Sequence, residues 1–164
     1  MTEGPWLDDD EQRAWRSFVA MRQQLERHLE RHLQHDAGLS APDFEVLVNL
    51  SEASDGRMRA SELGEATGWD KSRLSHHLAR MAKRGLLARE PGAGRYPDVV
   101  LTDEGRAAIT AVAPAHAARV RALLVDVLGP ERLARLGAAS DDVLAAIDAH
   151  RRTACDLDAA AAPR

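Results

Sequence analysis

The chain has a single cysteine, Cys155, in 164 residues, so no intramolecular disulfide framework can form and a reducing cytoplasm suits it. Aromatic residues make up only 4%, which argues against a sandwich or barrel. No uninterrupted apolar run approaches the roughly 20 residues of a membrane span. Residues 1–10 are acidic, with neither a basic n-region nor an apolar h-region, and are read as no signal peptide. A Gly-rich phosphate loop, a His-Glu-x-x-His pair and a nucleophile elbow are all missing, so nothing supports catalysis. There is no internal repeat. What remains, 45% apolar and 29% charged, describes a soluble, mainly α-helical chain of one domain, or of one domain with a helical extension.

The net charge of −4 conceals an asymmetry. Lys71, Arg73, Arg80, Lys83, Arg84, Arg89 and Arg95 face one acid, Glu90, between residues 71 and 95, for a local +6. The remainder carries 15 basic and 25 acidic residues, or −10. A basic patch on an acidic body is the footprint of phosphate binding, and it is equally the look of a solvated helix face.

Periodicity places five or six helices and one hairpin between an acidic arm at 1–12 and a frayed tail at 153–164. Helix one runs from about Glu11 to Asp36, with Phe18, Met21, Leu25 and Leu29 on one stripe and Gly38 beyond its end. Helix two is capped by Ser40 with Asp43 three residues on, buries Phe44, Leu47 and Leu50, and ends at Asp55-Gly56. Helix three spans about Ala60 to Thr67, with Leu63 and Ala66 inward. A long helix from Thr102 or Asp103 to about Leu128 should kink at Pro114, and Gly129-Pro130 should separate it from a last helix.

The fourth helix is the most informative segment. Thr67-Gly68-Trp69-Asp70 is a turn, Asp70 an N-cap, and Trp69 and Leu74 sit at the positions of a hydrophobic staple. Leu74, Leu78 and Met81 form the inward stripe, with His77 at its edge as a packing residue. Ser72, Arg73, Ser75, His76, Ala79, Arg80 and Lys83 point the other way, as a helix lying in a DNA major groove requires, and Lys71 at the start of the helix is a further candidate DNA contact. Gly85 suits the left-handed position after the last turn. Leu86–Glu90 and Val99–Thr102 read as strands around turn-rich Pro91 to Asp98, a wing with Arg95 at its tip. Arg73 can contact guanine bidentately or simply touch phosphate.

From about Ser40 to Arg106 the sequence resembles the winged helix-turn-helix regulators of the MarR family, in its actinobacterial-looking branch. The residues that carry the likeness are Ser61 to Gly64, Lys71 to Met81, Arg84-Gly85-Leu86-Leu87-Ala88-Arg89, and Val99-Val100-Leu101-Thr102-Asp103-Glu104-Gly105. The resemblance implies a small β-hairpin wing, a helical dimerisation region and a cytoplasmic homodimer, usually a repressor. Such proteins bind pseudo-palindromic double-stranded operators and release them when a small-molecule effector enters. It implies domains at 13–39 (dimerisation helix), 40–102 (winged DNA-binding domain) and 103–152 (dimerisation helices). Ser72, Arg73, Ser75 and His76 would reach bases and phosphates, Arg80 would hold the backbone, and Arg95 would enter the minor groove. Family wings commonly carry an acid two residues before the tip arginine, and here that position is Ala93 in a shorter loop.

Helix one and the last two helices carry more apolar stripe than a small winged domain can cover. Phe18, Leu123, Leu124, Val127, Leu133, Leu136, Leu144 and Ile147 are therefore assigned to an isologous interface, against the alternative of an intramolecular three-helix layer. Trp15, His32 and His116 are candidate ligand-binding residues. His28, His32 and His116 are candidate zinc ligands, without the Cys or Glu placement of the family's zinc sensors. No cofactor is otherwise expected. A metal-responsive regulator and a winged protein-interaction module that does not bind DNA both remain as alternatives.

Overall fold

The first helix begins where its own acids cap it. Asp8 accepts the backbone N–H groups of Asp10 and Glu11 at 2.9 and 2.8 Å, and Glu11 accepts the N–H of Asp8. This capping box starts α1 (Asp9–Ala37) two residues before the start expected at about Glu11, so the acids at 9–11 belong to its first turn, where the helix dipole favours them. In this computed structural model the described residues are 6–92 and 97–161, with side chains described through 152.

Then follow α2 (Ala41–Glu52), β1 (Arg57–Arg59), α3 (Ala60–Thr67), α4 (Lys71–Lys83), β2 (Leu87–Glu90), β3 (Asp98–Leu101) and α5 (Asp103–Val120). A π-helical turn, Arg121–Val125, leads into α6 (Asp126–Ala161). The fold is mainly helical with a small antiparallel sheet of order β1-β3-β2. Leu87 pairs with Leu101, Glu90 with Asp98, and Arg57 with Val100. The expected wing hairpin is β2–β3, and β1 joins it at the free edge of β3 as a third strand the sequence did not show.

The chain divides into two units, residues 1–119 and 120–164. The core of the first is aliphatic: Leu39, Val46, Leu47, Leu50, Leu63, Leu78, Met81 and Val99 are essentially inaccessible. Leu39, in the turn after α1, and Leu33 are buried with it, while Ala66, expected inward, is exposed. Burying one such leucine contributes about 1.5–3 kcal/mol, so a single α4 face bearing Leu74, Leu78 and Met81 supplies much of that helix's hold on the domain.

The joint between α4, the sheet and α5 explains the Arg-Gly-Leu and Leu-Thr-x-x-Gly runs. Gly85 takes φ 74° after α4, turning Leu86 back into the core. Thr102 donates its hydroxyl to the Gly85 carbonyl at 2.6 Å and accepts the Gly105 N–H at 3.0 Å, capping α5 and tying it to the end of α4. Gly105 is there because a Cβ would run into the Leu86 carbonyl and come within 2.8 Å of Leu101 Cδ1.

α5 runs as α-helix through Pro114, and a π turn follows it. Gly129 (φ 69°, ψ 171°) breaks the helical geometry beside Pro130, as expected, and separates two helical stretches; the second runs to Ala161, a correction of the tail expected to fray. Counted as a window rather than an uninterrupted run, Asp103–Arg152 includes 18 residues of mean hydropathy 1.3, long and apolar enough by composition to cross a membrane. Little of that window is covered in the single chain.

Candidate nucleic-acid interface

α4 separates its residues as the periodicity predicts. Asp70 caps it by accepting the Arg73 N–H at 2.9 Å. Leu74, His77, Leu78 and Met81 are buried, while Lys71, Ser72, Arg73, Ser75, His76, Arg80 and Lys83 are all exposed along the opposite face. A 13-residue helix is about 20 Å long, enough to present these groups along a major groove. Arg95, expected at the wing tip, lies outside the described residues, as does Ala93.

Two of the exposed arginines are held. The Arg73 guanidinium lies 4.5 Å over the Trp69 ring, a cation–π contact one turn apart on the chain. Arg80 Nη2 is 2.8 Å from His77 Nδ1. Each contact restricts a long flexible side chain while leaving most of its N–H donors free.

Arg84 behaves differently from the rest of the patch. Its Nη1 donates to Asp43 Oδ2 at 2.6 Å and its Nη2 to the Gly38 carbonyl at 2.8 Å. One of the seven cations counted in the patch is therefore committed to the protein, where it fastens the end of α4 to the start of α2. Asp43 is 4% exposed and also accepts the Ser40 N–H at 3.0 Å. Burial pushes its carboxyl up, but the bonds from Ser40 and Arg84 outweigh this and leave it below the usual carboxylate range. At the base of the wing Arg57 on β1 reaches Glu90 on β2 at 2.6 Å and Asp98 on β3 at 3.5 Å. None of these roles was read from the sequence. Asp43 was visible only as half of a capping box.

A groove of about 780 Å3 lies between α3, α4 and the sheet. Trp69, Leu74, Leu78 and Val99 line it, and Arg59 and Arg89 are at its rim. The expected effector residues lie elsewhere. His116 on α5 packs against Phe44 on α2 with ring centroids 4.4 Å apart, and His32 meets His28 at 4.7 Å on α1. Arg119 pairs with Asp36 at 2.9 Å, and its charge adds to burial in pushing both His32 and His116 toward the neutral form. Trp15 does not join them: 17 residues along α1 amount to about 25 Å, and it stacks on Phe18 instead. Among the described residues no three His, Cys, Asp or Glu side chains converge to hold a metal ion. His28, His32 and His116 are thus not arranged as a zinc site, since His116 is turned to Phe44.

None of the apolar residues assigned to an interface is fully buried in the single chain. Phe18 on α1 is exposed, as are Leu123, Val127, Leu144 and Ile147 in the second unit. Leu124, Leu133 and Leu136 are half-buried.

Comparison with known proteins matches residues 37–95 to the model of the MarR family. The fold superposes on the crystal structure of AbsC, a MarR family transcriptional regulator from Streptomyces coelicolor, with a TM-score of 0.81. The two are 41% identical over 92% of this chain and 99% of that one. Sco3205, a MarR family transcriptional regulator of the same organism crystallised in complex with DNA, gives a TM-score of 0.82. It is 38% identical over 88% of this chain and 91% of that one. The HTH-type transcriptional repressor YetL of Bacillus subtilis (strain 168) is 27% identical over 99 residues, only 59% of either protein. With the winged sheet, the two-faced α4 and these similarities together, the chain belongs to the MarR family of transcriptional regulators.

Proposed function

We propose that the chain is a homodimeric, cytoplasmic DNA-binding regulator, a repressor whose hold on a pseudo-palindromic operator is relieved by a small-molecule ligand. The observation that carries the reading is the α4 face: seven polar or basic side chains exposed on a helix whose other face is buried. Ser72, Arg73, Ser75 and His76 read base edges and neighbouring phosphates, while Lys71, Arg80 and Lys83 hold the backbone. The similar Sco3205 was crystallised with DNA, and YetL carries the name of repressor, which supports both halves of the reading.

Dimerisation is part of the proposal because the apolar faces of α1 and of the second unit need a cover. A second copy supplies it by isologous contact, and two copies of α4 then address half-sites one helical turn apart or a multiple of it. We place the effector site at the Phe44–His116 pair of α2 and α5, with His32 on α1 as a further candidate. A neutral imidazole against an aromatic ring suits a flat aromatic or phenolic ligand. To act, the ligand must prefer the conformation that does not bind DNA. By linkage, DNA then weakens the ligand by the same factor.

Selection of duplexes from a random pool, followed by anisotropy titration over a range of salt, tests the DNA reading. If each protomer neutralises about four phosphates, log K against log salt falls with a slope near −7. Weak binding that does not respond to salt sinks it and leaves a protein-interaction module in its place.

A further inference from the structure

His77 is the one polar side chain on the buried face of α4, and its two ring nitrogens face opposite charges. Nδ1 is 2.8 Å from Arg80 Nη2, and Nε2 is 3.0 Å from Asp43 Oδ1 on α2. The indole of Trp69 stands edge-on to the ring at 5.1 Å. A guanidinium has only donors, so the Arg80 contact requires a lone pair on Nδ1. That places the ring proton on Nε2, toward Asp43. This N–H is not aligned on the carboxylate, so the pair is a close electrostatic contact rather than a hydrogen bond.

We propose that His77 is a positioning residue for DNA binding: its neutral ring, set by Asp43, holds the Arg80 guanidinium so that its remaining donors face the phosphate backbone. This rests on the reading of Arg80 as a backbone contact. Packing alone needs no such arrangement. An aliphatic residue would fill the space beneath α4 without a buried polar atom, whereas only an acceptor at the Nδ1 position restrains an arginine that solvent would otherwise let wander.

The arrangement is sensitive to protonation. Facing His77 are Asp43 from α2, and Arg80 and Arg73 from α4, with Arg84 on the far side of Asp43. Glu45 on α2 feels the charge of Arg73, which lowers its carboxyl against the upward push of burial. Burial is the largest influence and holds the imidazole below its ordinary 6.5, Asp43 opposes it, and the arginines reinforce it. On protonation Nδ1 becomes a donor, the Arg80 bond is lost and two cations are left side by side. DNA affinity conferred through His77 therefore falls as pH drops below 6.5.

The test uses full-length protein and anisotropy with two labelled 30-base-pair duplexes, one selected and one of random sequence, at constant ionic strength. Arg80→Ala is expected to weaken binding to both about tenfold, and His77→Phe, which keeps a flat ring but no acceptor, by about five- to tenfold. The double variant should be no weaker than Arg80→Ala. His77→Asn, with an amide oxygen near the Nδ1 position, should stay within about twofold at pH 7.5 and lose the part of the acid dependence between pH 7.5 and 5.5 that wild type shows relative to it. Losses that multiply in the double variant overturn the proposal, because His77 would then act on DNA binding independently of Arg80. No effect of Arg80→Ala on either duplex would instead refute the backbone role of Arg80 itself. Should His77→Phe not fold, the pH profile decides: wild type must lose affinity toward pH 5.5 by more than Arg80→Ala does, and equal profiles overturn the proposal.

Discussion

Asp43→Asn isolates one charge at the junction of α1, α2 and α4. The substitution is isosteric, so it opens no cavity and leaves an oxygen for the Ser40 N–H. The same oxygen meets Arg84 Nη1, so what goes is the negative charge in that 2.6 Å bond, and the attraction of the other carboxylate oxygen for His77 at 3.0 Å, where the amide now places an NH2. A hydrogen bond to a charged group contributes about 1.5–3 kcal/mol. The Arg84 side chain is 43% exposed and can recover water, which points to the lower end, about 1.5–2 kcal/mol. For a chain of this size that is a fall in Tm of about 3–8 °C, at fixed protein concentration because the proposed dimer makes Tm depend on it. The control is Glu26→Gln in the Arg22–Glu26 pair, 50% and 60% exposed, which should move Tm by about 1 °C or less. The pH dependence of the gap has a definite sign. Asp43 is depressed below 3.8, so its contribution is complete above that value and lost as pH falls through its folded pKa. His77 is also depressed, below 6.5, so its burial in the neutral form is destabilised as pH falls from 6.5. The variant lacks Asp43 to offset this. The gap should therefore be flat from pH 9 to 7, widen below 6.5 and close below 3.8. A drop no larger than the Glu26→Gln control would refute the assignment of Asp43 as the anchor of α4.

Other outcomes follow from single contacts. Gly105→Ala forces a methyl against the Leu86 carbonyl, a backbone atom that cannot swing aside, and urea denaturation should show a loss of about 2–4 kcal/mol. Arg73→Ala should relax base preference at one position of each half-site, read by repeating the duplex selection, and identical losses on operator and random DNA would count against base readout. Trp69→Leu removes the platform under Arg73 and should weaken operator binding by about 0.5–1 kcal/mol without changing the salt slope. Ile147→Glu places a charge on the exposed apolar face of α6, and sedimentation velocity should find monomer where wild type is dimeric.

The legible parts of this chain are the local ones. The 3.6-residue spacing of Leu74, Leu78 and Met81 defines which face of α4 is buried, and hence which residues it exposes, whatever the helix packs on. Asp70, Ser40 and Gly85 mark helix ends because caps and left-handed turns act within a few residues. Trp69 under Arg73, four residues apart, was within reach of the same reasoning. The start of α1 was misplaced because five acids looked like an arm, although Asp8 and Glu11 also spell a capping box.

Tertiary structure decided the rest, for reasons of distance along the chain. β1 is three residues long, too short for a period, and exists because β3 offers it an open edge. Arg84 reaches across 41 residues to Asp43, so a cation that counts toward the basic patch in sequence is bound to the protein in space. His77 is an edge residue by helical angle alone. Only the arrival of Asp43 on one side and Arg80 on the other makes its two nitrogens unequal. Amphipathic period and capping depend on nearest neighbours and are written in order along the chain, whereas ion pairs between helices depend on which surfaces the hydrophobic core brings together.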